Sequence, residues 1–107
     1  MTKLSLLNGR LLDSGDGTSS TSDVFIAEGR VVALRQPPDG FVADQVFDIE
    51  GAVVSPGFID LSVHLREPGF EHKATIASES NAAVKGGVTT LCCSPETAPP
   101  CDTPAVI

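Results

Sequence analysis

Apolar and polar residues alternate at the period of an extended strand through most of this chain, and the texture changes once, at Pro56-Gly57. Successive side chains of a strand point to opposite faces, so such alternation marks a half-buried strand. Residues 3–12 read as a strand, or a bent strand pair broken at Asn8-Gly9, a strong turn dipeptide. Residues 13–22 are almost wholly Asp, Ser, Gly and Thr, lack any period and predict a polar loop. Val24–Ala27 and Arg30–Leu34 flank Glu28-Gly29 and predict a tight β-hairpin; Gln36–Gly40, with Pro37-Pro38, predicts a second loop. Val46–Ile49 and Ala52–Val54 bracket Glu50-Gly51 in the same way. Four or five short strands joined by glycine turns predict a small antiparallel β-sheet over residues 1–55.

From Pro56 the pattern becomes strand, helix, strand. Phe58–Leu65 sorts at a period of two into an apolar row, Ile59, Leu61, Val63 and Leu65, and a polar row, Asp60, Ser62, His64 and Arg66. A loop runs through Glu67-Pro68-Gly69-Phe70-Glu71-His72. Thr75 is placed to cap a helix over Ile76–Lys85, with Glu79 near its start and Gly86-Gly87 after its end. Ile76, Ala83 and Val84, with small Ala77 and Ser80, form the stripe expected to be buried. Val88–Cys93 is a second β-branched strand, stopped at Pro95. This order predicts a right-handed parallel crossover over residues 56–107, and Thr103–Ile107 reads as the opening of another helix.

Composition narrows the function classes. Fourteen acidic and seven basic side chains leave a net charge of −7, spread over both halves: eight acids and four bases before Gly57, six and three after. An acidic chain without a basic stripe argues against nucleic acid or an anionic membrane as partner. No apolar run approaches a membrane span, and the amino terminus has the alternation of a first strand and not the core of a signal peptide. The three cysteines, Cys92, Cys93 and Cys101, are odd in number with two adjacent, a poor disulfide framework. They predict reduced thiols in a cytoplasmic protein. His72 is the only histidine besides His64, and a His64/His72/Cys101 metal site would fit no standard ligand spacing.

The run from Pro56 to His64, with its two-faced strand, resembles the first barrel strand of the amidohydrolase superfamily, and Arg66-Glu67-Pro68-Gly69 narrows the resemblance to dihydroorotases. The fold it implies is α/β: an amino-terminal sheet that is part of a β-sandwich, then the first β-α-β unit of a (β/α)8 barrel. At 107 residues the chain is far shorter than the roughly 250 that such a barrel takes, so the resemblance implies a truncated, amino-terminal portion.

In that family two histidines, two residues apart, begin a zinc site. Here the second is His64, and Ser62 replaces the first. A serine hydroxyl is a poor zinc ligand at neutral pH, and a single imidazole is no chelate. The resemblance gives Arg66 to the substrate carboxylate, a role suited to a planar, permanently charged fork. It also aligns Glu96 with an asparagine that binds the same carboxylate. A glutamate there repels an anion. The family's other metal ligands, a carbamylated lysine, two histidines and an aspartate that serves as general base, would lie beyond Ile107, so no catalytic residue is expected within this chain. The resemblance therefore implies zinc that is absent or incomplete here.

Two functions follow from it. One is a non-catalytic dihydroorotase-like protein of pyrimidine biosynthesis that assembles with aspartate transcarbamoylase. The other is the amino-terminal fragment of a working zinc dihydroorotase that interconverts carbamoyl aspartate and dihydroorotate. In either case unpaired barrel-strand edges predict an oligomer, or a chain bound to a complementary segment.

Overall fold

The computed structural model describes residues 2–12 and 15–106 and divides into two compact units, residues 1–56 and 57–107. In the first unit, strand β1 (Leu4–Leu12) lies at the centre of the sheet. One edge of β1 pairs antiparallel with β2 (Ser19–Ala27), which pairs in turn with β3 (Arg30–Leu34). Asn8-Gly9 bends β1 without breaking it. Asn8 takes a φ of 60°, the register slips between Leu6 and Gly9, and the Asn8 N–H donates to Asp23 Oδ1 at 2.8 Å. The extra residue makes this a β-bulge, which leaves the strand continuous. The β2–β3 connection is the expected hairpin: Glu28 and Gly29 have φ of 53° and 71°, the left-handed pair that a tight hairpin turn requires.

Two expectations are corrected here. The polar segment expected as loop over 13–22 becomes strand from Ser19 onward, because Ser19–Ser22 pair with Leu12, Leu11, Arg10 and Gly9 of β1. Backbone pairing supplies what a hydrophobic period did not; Ser19, Ser20 and Thr21 stay exposed, while Ser22 is buried with its hydroxyl donating to the Asp23 carbonyl. Asp13 and Ser14, also in that expected loop, lie outside the described residues. The sheet is also mixed, not antiparallel throughout. β4 (Gln45–Asp48) and β5 (Val53–Val54) both run parallel to β1, pairing with Leu4–Leu7 and with Arg10–Leu11, and they do not form a hairpin with each other. Glu50-Gly51 is a turn that returns the chain to the same edge of β1, held by the Gly51 N–H to Asn8 O bond of 2.7 Å.

The core of this unit is small. Val24 and Phe25 are buried, Phe25 packs edge-on against Phe41 at 5.6 Å, and Lys3 Nζ lies 5.8 Å from the centre of the Phe41 ring. Full burial of each such apolar side chain contributes about 1.5–3 kcal/mol. Val31, Val46 and Val53 remain more than half exposed.

The second unit is the expected strand, helix and strand. β6 (Phe58–Val63) and β7 (Val88–Cys93) pair in parallel, and α1 (Ile76–Lys85) connects them. Thr75 caps the helix as the sequence predicts. Its Oγ1 accepts the Ser78 N–H at 3.1 Å, and Ser78 Oγ accepts the Thr75 N–H at 3.0 Å, so two orphan donors are satisfied reciprocally. The stripe expected to be buried is not. Ile76 and Val84 are 44% and 67% exposed, because the helix packs against β7 alone. Thr103–Val106 form a single turn, closed by the Val106 N–H to Thr103 O bond; Ile107, in the same expected element, lies outside the described residues. Among the described residues no helix is long and apolar enough to cross a membrane.

Candidate functional site

β6 and β7 end side by side. Val63 pairs with Cys93, and the Ser94 N–H donates to Val63 O at 2.9 Å, so the residues just beyond both strands are neighbours. His64 and Glu96 occupy those positions. His64 Nδ1 lies 3.8 Å from Glu96 Oε2, a contact that is an ion pair only when the imidazole is protonated. Both side chains are open to water, 46% and 76% exposed, so the contact contributes little to stability. Its importance is chemical: the imidazole facing the strand ends has a carboxylate for a neighbour.

The polar row of β6 stays together. Asp60, Ser62, His64 and Arg66 line one cavity of about 520 Å³, and Lys73 and Glu79 complete its polar wall. The apolar row does not. Ile59 and Leu61 are 63% and 76% exposed, Val63 turns into the polar cavity, and Leu65 lines a separate apolar one with Pro68, Ile76 and Cys93. The cause is a bulge. Asp60 pairs with Leu91 and Val63 with Cys93, so β6 carries one residue more than β7 between those points. Asp60 Oδ1 accepts the Ser62 N–H at 3.0 Å, a local turn that competes with the ladder there.

Arg66 is half-buried, and among the described residues its guanidinium has neither a hydrogen bond nor an ion pair. Glu96 stands at the end of β7, turned toward His64 and largely toward solvent. His72 packs against the Phe70 ring with centres 6.5 Å apart, and Cys101 Sγ lies 3.1 Å from Thr97 Oγ1. His72 and Cys101 are thus engaged with other neighbours, and no three His, Cys, Asp or Glu side chains among the described residues converge to hold a metal ion. All three cysteines are free thiols. Among the described residues around Ser62 the donors are one imidazole, a neutral hydroxyl and the carboxylates of Asp60 and Glu79, with Glu96 beside the imidazole, and no three of them converge. This set does not fit a binuclear zinc centre.

Sequence reasoning missed Lys73 and Glu79, which come from the loop and the helix. The signal for Lys73 was its aromatic neighbour: its Nζ lies 5.7 Å from the centre of the Phe70 ring. The loop that carries it is well tied. The Phe70 N–H donates to Arg66 O, the Lys73 N–H to Phe70 O and the Ala98 N–H to Pro68 O, at 2.8, 2.9 and 3.0 Å. Glu67 Oε2 accepts the Ile76 N–H at 2.9 Å and fastens the loop to the start of α1. Glu71 Oε1 accepts the Gly69 N–H, and this bond holds the Glu71 carboxyl below its ordinary value.

Known proteins are similar to this chain in sequence and in fold. The family model described as dihydro-orotase-like covers residues 51–105, a span that contains the whole of the site. Among curated relatives, a dihydroorotase-like protein of Pseudomonas putida is 45% identical over 96% of this chain and 24% of its own length. A dihydroorotase of Solibacter usitatus is 50% identical over 86% of this chain and 21% of its own. Among solved structures, the L-hydantoinase (dihydropyrimidinase) of Arthrobacter aurescens superposes with a TM-score of 0.78 at 30% identity, over 94% of this chain and 22% of that one. The chain thus spans about a quarter of the length of the curated relatives it matches. With the strand ends, the Arg66-Glu67-Pro68-Gly69 loop and the family model all falling on the same residues, the chain belongs to the dihydroorotase-like family.

Proposed function

We propose that this chain is the amino-terminal portion of a dihydroorotase-like protein of pyrimidine biosynthesis that keeps the family fold, has lost zinc chemistry at the end of its first barrel strand, and works as an assembly partner of aspartate transcarbamoylase. The observation that carries the reading is the contact of His64 with Glu96 beside Ser62. Zinc needs anionic or imidazole donors brought together in number. Here a hydroxyl stands where the family has the first imidazole, and the second imidazole already faces an acid. A carboxylate in place of an amide also opposes an anionic substrate. At 4 Å that repulsion is about 1 kcal/mol in a water-like medium and about 4 kcal/mol at a partly shielded surface. The similarity to the Pseudomonas putida protein, named dihydroorotase-like, supports the same reading.

A second reading takes the chain as the amino-terminal portion of an active zinc dihydroorotase that interconverts carbamoyl aspartate and dihydroorotate. Its support is the 50% identity with the Solibacter usitatus dihydroorotase and the retention of Arg66 in the cavity. Metal analysis of the protein purified from its own cells separates the two. The first reading expects well under one zinc per chain, no hydrolysis of dihydroorotate, and aspartate transcarbamoylase in the same chromatographic peak. Two zinc ions per chain with turnover would replace it with the second.

A further inference from the structure

The polar cavity holds a cation that neither functional reading uses. Lys73 stands seven residues after Arg66, and the two turns hinged on Phe70 bring it back to the cavity that Arg66 lines. The Phe70 ring lies under its ammonium group, which restricts a side chain otherwise free to range over the surface. Asp60 and Glu79 line the same cavity, yet among the described residues no carboxylate comes within salt-bridge distance of either Arg66 or Lys73. Two cations and two carboxylates therefore line one concave polar site with no ion pair between them among the described residues. An arginine fork accepts a carboxylate in the plane of its N–H groups, and an ammonium group adds a point charge that can approach the same oxygens from another side.

We propose that Lys73, held over Phe70, is the second cation of a carboxylate-binding site built around Arg66, and a determinant of affinity for small organic acids. The inference rests on the dihydroorotase-like reading only for the choice of probe. It does not require turnover: the cavity binds a carboxylate whether or not the His64 end performs chemistry. Lys73 is a binding residue here, not a catalytic one.

The test is saturation-transfer difference NMR on the full-length protein with carbamoyl aspartate, at constant ionic strength. Wild type saturates. Lys73→Met weakens binding about tenfold, the loss of one charge-assisted contact, and Lys73→Arg restores most of it. Phe70→Leu, which keeps the charge and removes the ring beneath it, weakens binding about two- to fivefold. Lys85→Met, which removes an equal charge at the far end of α1, changes nothing. Equal loss in the Lys73→Met and Lys85→Met variants would reduce the effect to overall charge and overturn the proposal. So would wild-type affinity in Lys73→Met, or tighter binding of inorganic phosphate than of the organic acid. Absence of saturable binding by wild type would end the site and leave the non-catalytic reading standing. Turnover of the probe would end that reading while the Lys73 comparison still decides this one.

Discussion

Ser62 and Glu71 show how single side chains set the chemistry of the strand end. Ser62 and His64 line one cavity, so a Ser62→His substitution would bring a second imidazole beside His64. The expected result is zinc affinity raised by on the order of tenfold over wild type, measured by competition with a chromogenic chelator. No comparable gain would mean that the Asp60–Ser62 turn aims residue 62 away from residue 64. Glu71 makes a pH-dependent contact. The Gly69 N–H lowers its pKa below the ordinary value of 4.5, so the bond adds stability above that pH and loses it as pH falls through the lowered value. The Gly69 amide signal should shift in that acidic window and not between pH 6 and 8. Glu71→Gln should abolish the shift.

Among the elements, the Arg66–Lys73 loop and the cap of α1 carry the site. Gly69 has a φ of 100°, and a Cβ there would stand 2.4 Å from the Ala98 carbonyl oxygen, so both backbone angle and space demand glycine. Gly69→Ala should cost about 1–3 kcal/mol through strain and overpacking, read as a lower denaturation midpoint by circular dichroism, and should weaken any ligand held by Arg66. Thr75→Ala removes one half of a reciprocal cap and should cost about 1 kcal/mol of helix stability. An unchanged midpoint in Thr75→Ala would show that Glu67, bonded to the Ile76 N–H, holds the helix start without it.

On the scale of the whole molecule, what stands out is apolar surface left open. Phe58, Ile59 and Leu61 on β6 are 62%, 63% and 76% exposed, and among the described residues β6 pairs with β7 alone. Parallel sheets are found buried on both faces, and an open apolar strand is a template for pairing. The 107-residue chain should therefore self-associate at micromolar concentration in sedimentation velocity. Leu61→Lys should shift the distribution toward monomer, and a monomeric wild type would contradict the account. Relatives about four times as long have the chain to cover such a surface.

Local chemistry was legible in the sequence wherever the cause was local. The Glu28-Gly29 hairpin, the Thr75 cap, the bounds of α1 and β7, and the grouping of Asp60, Ser62, His64 and Arg66 all follow from neighbouring residues, because turn angles, caps and side-chain periods are short-range. Tertiary structure decided what depends on distant partners. It made Ser19–Ser22 a strand by pairing them with β1, and it ran β4 and β5 parallel to β1 where a glycine turn suggested a hairpin. It inserted the bulge that sends Val63 into the polar cavity. It also set Glu96 against His64, more than thirty residues apart in the chain, and carried Lys73 back beside Arg66. Pairing partners and cavity neighbours are chosen by the path of the backbone in space, and no period along one strand or helix contains that information.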